Sequence, residues 1–249
     1  MWLVKLQLKS LEKVIKTQAP PRLLNALRNV RSALQNAEKL ILTPRGRAVK
    51  NRVSLWINAR KSQKYLEIGP GRYRLPGFET LDIVGGCNID YVWDAAKRLP
   101  FKDNTFDLIY ASHVLEHIPW YMTEQVLKEW VRVLKPGGWL EVWVPDGLKI
   151  CKTLVEAELE GVNRIHEDGW YKFNPLRDPC VWAAGRIFSY GDGKGSKNHP
   201  NWPRAIFTAR YLKELFERVG LVDVRELDRS EVRGYDHGWI NLGIKGRKP

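Results

Sequence analysis

Near the start of the chain apolar residues recur at helical spacing. Val4, Leu8, Leu11 and Ile15 form one stripe, with Lys5, Lys9, Lys13 and Lys16 elsewhere on the wheel. Pro20-Pro21 end this helix, because proline disfavours helical geometry in the residue before it. Leu23, Leu27, Val30, Leu34 and Ile41 define a second amphipathic helix, to about Leu42. Thr43-Pro44 then fit an N-cap followed by proline at the first helical position. A basic stretch from Arg45 leads to Lys64.

From Lys64 short apolar runs alternate with helical stretches, which predicts an α/β domain with a parallel sheet and crossovers. Strands are expected near Tyr65–Ile68, Thr80–Ile83, Tyr91–Trp93, Phe106–Ala111 and Trp139–Val144. A helix from about Thr123 to Leu134 buries Val126, Leu127, Trp130, Val131 and Leu134, and Pro136-Gly137-Gly138 are expected to stop and cap it. Residues 150–204 read as a less regular stretch rich in Trp, Gly and Asn. A last helix, about Ala209 to Val219, precedes strands near Val222–Leu227 and Trp239–Ile244.

Charge divides the chain in two. The first 64 residues hold 15 Lys and Arg against Glu12 and Glu38, whereas residues 65–249 hold 26 bases and 26 acids. The whole excess of +13 therefore sits in residues 1–64, which sets an N-terminal extension, residues 1–63, apart from a nearly neutral domain, residues 64–249. Cys87, Cys151 and Cys180 are odd in number and widely spaced, which speaks against a disulfide framework or a zinc site. They read as buried or incidental thiols of a reducing cytoplasm. No apolar run reaches the ~18 residues of a membrane span, and the first residues lack the apolar core of a secretory signal.

The first strand runs into Gly69-Pro70-Gly71, a turn whose backbone N–H groups can approach a ligand where a Cβ would collide. A dinucleotide fingerprint would need glycine at position 74, which is Arg74, so that pattern is broken. Asp82 closes the next strand, where a carboxylate can accept both hydroxyls of a ribose. Asp94 follows the third strand. Then come Leu99-Pro100-Phe101, Phe106-Asp107, His113-Val114-Leu115-Glu116-His117 and Val133-Leu134-Lys135-Pro136-Gly137-Gly138.

With these motifs residues 64–146 resemble the class I S-adenosylmethionine-dependent methyltransferases, in their small-molecule branch. The resemblance implies a Rossmann-like, doubly wound sheet, mostly parallel, with the last strand antiparallel. It implies S-adenosylmethionine as cofactor and no metal. Glu67, Gly69, Pro70 and Gly71 would line the methionine part, Asp82 the ribose, and Asp94 with Ala95 the adenine. Ser112 and His113 would face the sulfonium and the substrate entrance. Only ten residues separate Gly71 from Asp82, too few for a full crossover helix, so a single turn or a loop is expected there. That shortened form also occurs in methyltransferases of bacterial surface-glycan clusters.

Methyl transfer from a sulfonium is an in-line displacement, so alignment supplies most of the catalysis, and a base is needed only if the acceptor loses a proton. His113 is the first candidate for base or orienter and Asp146 the second. His117 reads equally as a site residue or as an anchor for the following helix, and Asp107 as a support of its strand turn. Residues 150–204 are the expected substrate lid, where Trp170, Trp182, Trp202, Tyr190, His199, Asn198 and Asn201 could bind a sugar ring or fill a core. The acceptor is expected to be a small molecule or glycan, methylated on oxygen at the cytoplasmic face of a membrane, with residues 1–63 on anionic lipid. The rivals are an RNA or DNA methyltransferase with a basic arm, and a catalytically silent scaffold of the same fold. Simple packing of the basic helices on the domain is the alternative to any partner.

Overall fold

The computed structural model describes residues 32, 43–59, 61–161, 174–188 and 199–249. The two N-terminal amphipathic stripes lie outside the described residues.

After helix α1 (Pro44–Asn58), the described residues hold seven strands and four more α-helices. The strands are β1 (Tyr65–Ile68), β2 (Glu79–Asp82), β3 (Tyr91–Val92), β4 (Phe106–Ser112), β5 (Leu134–Pro145), β6 (Val222–Leu227) and β7 (Asn241–Arg247). The helices are α2 (Thr123–Val133), α3 (Gly147–Glu160), α4 (Pro179–Phe188) and α5 (Ala209–Arg218). The strands form one sheet in the order β3-β2-β1-β4-β5-β7-β6. Neighbours from β3 to β5 are parallel, and β7 runs antiparallel to both β5 and β6. This is the Rossmann-like sheet expected, with its antiparallel strand inserted next to the edge.

Alternation along each strand sorts the core. Leu66, Ile68, Leu81, Ile109, Val142 and Ile244 join one large cluster with Trp130 of α2 and Leu212 and Phe216 of α5. Each fully buried side chain of this kind contributes roughly 1.5–3 kcal/mol. The out-of-phase residues Leu108, Tyr110 and Trp143 form a smaller cluster with Phe78 and Leu227. Residues 69–78 contain no helix, as the short spacing required. Arg74 fastens that loop by donating to the Phe78 carbonyl and, at 2.9 Å, to Asp90.

Helix α1 starts as expected: the Thr43 hydroxyl accepts from Gly46 N–H at 3.1 Å, and Pro44 follows it. Its faces are inverted. The buried residues are Asn51 and Asn58, while Val49, Val53, Trp56 and Ile57 are exposed. Asn51 accepts from Val92 N–H at 3.0 Å and donates to its carbonyl at 3.4 Å; Asn58 donates to the Tyr91 hydroxyl at 3.1 Å. The Asn51 amide thus covers the open edge of β3, whose backbone would otherwise lack partners there, and Asn58 holds the hydroxyl of Tyr91.

Three expectations need correction. Pro136-Gly137-Gly138 do not cap α2: the helix ends at Val133, and these residues lie within β5, which begins at Leu134 opposite Phe106. Gly137 N–H donates instead to the Lys248 carbonyl at 2.8 Å. Much of the supposedly irregular stretch is helical, as α3 and α4; the periodicity was hidden because α3 buries only Ile150 and Thr153 beyond its first residue. The three cysteines are free and exposed, none of them buried. Among the described residues no helix is long and apolar enough to cross a membrane.

Candidate active site

The glycine turn leaves β1 with Gly69 at φ +69° and Gly71 at φ +58°, left-handed geometry that favours glycine. Gly69 N–H donates to Leu81 O at 2.8 Å, which ties the turn to β2. A Cβ on Gly71 would meet nothing within 4 Å, so the turn has an open side where a ligand can approach. Glu67 is buried behind it and accepts from Leu75 N–H at 2.7 Å; burial raises its carboxyl above the ordinary range. Its observed role is to hold the loop.

Asp82 ends β2 beside this turn. Its carboxylate accepts from Val84 N–H at 2.7 Å, and the Gly71 amide also lowers its pKa, yet burial dominates and raises it overall. Asp94, just past β3, accepts from Ala96 N–H at 3.0 Å, and the Ala95 carbonyl accepts from the Trp130 indole at 3.0 Å. The open turn and the two acids at the C-terminal ends of β2 and β3 fit S-adenosylmethionine: Gly69, Pro70 and Gly71 would border its methionine end, Asp82 its ribose, Asp94 and Ala95 its adenine.

Ser112 is the last residue of β4, and His113 leaves the strand at φ +53°, an uncommon conformation for a residue with a Cβ. His113 Nε2 lies 2.9 Å from Asn241 Oδ1, and Nδ1 lies 3.3 Å from Glu116 Oε1. Its ring stacks on His237 with centroids 3.6 Å apart and 25° between planes. Asn241 donates in turn to Asp236 at 2.9 Å. Burial, reinforced by neighbouring His113, lowers His237 to a pKa of about 4, so it stays neutral near pH 7. Burial pushes the Glu116 carboxyl up, but the hydrogen bond from His113 and the nearby histidines outweigh it and hold it below the ordinary range.

Both nitrogens of His113 therefore face oxygen atoms of the protein, a geometry that suits an orienting group. Glu116, His237 and Asn241 complete this cluster, and the sequence did not single them out. Glu116 lay inside the quoted motif, between two histidines. His237 and Asn241 carried no local signal; pairing of Asn241 with Pro145 at the β5–β7 ladder brings them in.

His117 lies with Nε2 3.9 Å from Glu116 and with a buried Nδ1 that has no partner. Asp146 caps α3, accepting from Leu148 N–H at 3.0 Å and Lys149 N–H at 3.3 Å, so one oxygen of the second base candidate is engaged structurally. Asp107 accepts from Lys64 N–H at 2.9 Å and from Lys135 at 2.8 Å, the strand-turn support expected of it. Trp182 cannot stack on a sugar: it is fully buried and lies parallel to Trp239, with centroids 6.1 Å apart. His199 accepts from Asn201 N–H at 3.2 Å, and Trp202 is partly buried beside them. Trp170, Tyr190 and Asn198 lie outside the described residues. Among the described residues no group of three His, Cys, Asp or Glu is placed to hold a metal.

An α/β sheet of this order, with a glycine turn after β1 and acids at the ends of β2 and β3, is a Rossmann-like sheet with a ligand-binding edge at its strand C-termini. Residues 66–142 match the family described as a methyltransferase domain. Demethylmenaquinone methyltransferase of Bacillus pumilus is 28% identical over 66% of this chain and 58% of that protein. The Anoxybacillus flavithermus protein of the same name is 40% identical over 76% of this chain and 65% of its own. The chain thus spans about three fifths of the length of these relatives, 58% and 65%. A solved Thermotoga maritima methyltransferase, described as a possible histamine N-methyltransferase, is 19% identical. It covers 87% of this chain and 96% of its own, with a TM-score of 0.42. Residues 66–142 thus carry a class I S-adenosylmethionine-dependent methyltransferase domain.

Proposed function

We propose that this protein transfers a methyl group from S-adenosylmethionine to a hydroxyl oxygen of a small-molecule or glycan acceptor. The observation that carries this reading is the juxtaposition at one sheet edge: Asp82 beside the open Gly69–Gly71 turn, and the His113 cluster at the end of β4. Bound S-adenosylmethionine supplies an electrophilic methyl group. The chain's own part is to hold the acceptor in line, and His113, fixed by Asn241 and Glu116, is the orienting group at that point. Relatives named for demethylmenaquinone support a small-molecule acceptor.

The reading places the enzyme at the cytoplasmic face of a membrane. In its support, α1 turns Val49, Val53, Trp56 and Ile57 to solvent, with Arg45 and Arg52 exposed beside them. A polybasic segment gains ~1 kcal/mol per Lys or Arg at an anionic surface. The neutral body, with 26 bases and 26 acids after residue 64, disfavours a nucleic-acid substrate. The test is incubation with methyl-labelled S-adenosylmethionine and fractionated cell extract. Label in glycan or in a small organic molecule is expected; label in RNA or DNA would overturn the reading.

A further inference from the structure

The C-terminal edge of the sheet holds a second histidine beside His113. His237 lies on the segment between β6 and β7 and is half-buried. One face of its ring lies on His113, with centroids 3.6 Å apart, and Tyr235 stands edge-on at 4.8 Å. Among the described residues His237 makes no hydrogen bond, and neither ring nitrogen is sealed from solvent. His113 differs in this respect. Both its nitrogens are committed, to Asn241 Oδ1 at 2.9 Å and Glu116 Oε1 at 3.3 Å, so neither is left for an acceptor. What it offers is a fixed flat surface on which the second ring lies.

The loop is braced on both sides of that ring. Asp236, the residue before it, accepts from Arg229 at 2.6 Å, Gly238 N–H at 2.8 Å and Asn241 Nδ2 at 2.9 Å. After it the chain turns at Gly238, with φ +87°, and Asn241 N–H donates to the Gly238 carbonyl at 3.1 Å. Lys149 of α3 donates to the carbonyls of Trp239 and Asn241 at 3.1 and 3.3 Å. A side chain held this way gives up little freedom when a substrate binds, and its open nitrogens remain available to one.

We propose that His237 is the catalytic residue that meets the acceptor, one ring nitrogen accepting the hydrogen of the reacting hydroxyl and taking its proton as the methyl group transfers. This inference rests on the methyl-transfer reading above and names the base of that reaction. In the step the hydroxyl oxygen bonds to the methyl carbon as the carbon–sulfur bond breaks. The bonding pair stays on sulfur, which becomes a neutral thioether, and the hydroxyl proton passes to His237. The positive charge of the sulfonium is thereby moved to an imidazolium, which yields its proton to water, so the step balances. His113 acts through His237 as a positioning residue. The step needs His237 neutral beforehand, and its surroundings keep it so. Burial and the facing ring of His113, with Arg186, outweigh Glu116 and Asp236 and lower its pKa to about 4. The hydroxyl becomes strongly acidic once its oxygen bonds carbon, so a weakened imidazole still takes the proton.

Wild type and two variants test this, with methyl-labelled S-adenosylmethionine and the extract fraction that wild type labels. His237→Ala is expected to slow label transfer ~10²–10⁴-fold, while its affinity for S-adenosylmethionine by calorimetry stays as in wild type. Added imidazole should restore part of that rate, because it supplies the missing nitrogen. It should restore nothing in His237→Gln, whose side chain fills the space and takes no proton. A purely structural role would not respond to imidazole. Transfer by His237→Ala within about twofold of wild type would overturn the proposal, and so would a loss that imidazole leaves unrepaired. Diethyl pyrocarbonate checks the open nitrogen in the wild type, without turnover. Carbethoxylation is expected at His237 and not at His113, and an unreactive His237 would overturn the proposal. A wild type that labels no glycan or small molecule would overturn the methyl-transfer reading itself, whereas the other adverse outcomes leave that reading standing.

Discussion

Val114 stands where a side chain on Gly69 would have to go: a Cβ built on Gly69 lies 2.3 Å from Val114 Cγ2. The contact links the glycine turn after β1 to the turn after β4, the two segments that would flank the cofactor. It also explains why glycine is needed at 69 for two separate reasons, its φ of +69° and the lack of room.

Gly69→Ala should therefore lower stability by about 2–5 kcal/mol, combining ~1–2 for the left-handed backbone with ~1–3 for overpacking. Gly71→Ala, with a φ of +58° but open space, should lose only about 1–2 kcal/mol. Urea midpoints compare them. Adding Val114→Ala to Gly69→Ala should restore part of the loss, whereas the same addition to Gly71→Ala should restore nothing.

Asp82 should make cofactor binding acid-sensitive. Burial raises its carboxyl above the ordinary value of 3.8, and a protonated carboxyl no longer accepts from both ribose hydroxyls. Affinity for S-adenosylmethionine is expected to fall as pH drops, beginning above the range typical of an exposed aspartate. Asp82→Asn should bind ~1.5–3 kcal/mol more weakly and lose that pH dependence. Calorimetry across pH decides it: an unchanged affinity in the variant would remove Asp82 from the site.

His237 links stability to pH in a definite direction. Its pKa falls from 6.5 to about 4 in the folded chain, through burial and then His113. Between those values the unfolded chain binds the proton and the native one does not, so stability rises with pH across that window and is lost on acidification. Discounted for its partial exposure to solvent, the effect is about 1–2 kcal/mol. His237→Asn should flatten the difference between pH 6.5 and 4 relative to wild type. Parallel pH profiles of thermal stability for the two proteins would show that no such linkage exists.

The inverted helix α1 separates stability from surface binding. Asn51→Ala strips Val92 of partners for its N–H and C=O and should cost about 1–3 kcal/mol. Trp56→Ala, on the exposed face, should change stability by less than about 0.5 kcal/mol. Only the second should weaken salt-sensitive sedimentation with anionic liposomes. If Trp56→Ala sediments like wild type, the apolar face of α1 has no part in membrane contact.

Local chemistry makes much of this protein legible in its sequence. The strands β1 to β4, the helices α2 and α5, and the Thr43-Pro44 start of α1 follow from periods of two and 3.6 residues and from capping chemistry, which act over a few neighbouring residues. Ten residues between Gly71 and Asp82 leave no room for a helix, and none is there. The glycine turn and the acids at strand ends are visible for the same reason. What the sequence could not decide depends on partners distant along the chain. The basic stretch of α1 hides which face is buried, because Asn51 and Asn58 are drawn inward by the open backbone and hydroxyl of β3, some forty residues away. Trp182 reads in the sequence as either a sugar platform or core filler, and Trp239, distant along the chain, makes it core in the fold. Glu116, His237 and Asn241 meet only because β7 inserts antiparallel beside β5 and carries the 236–241 loop against His113. Hydrogen bonds and burial of that kind are set by which segments the sheet brings side by side, and no local periodicity encodes them.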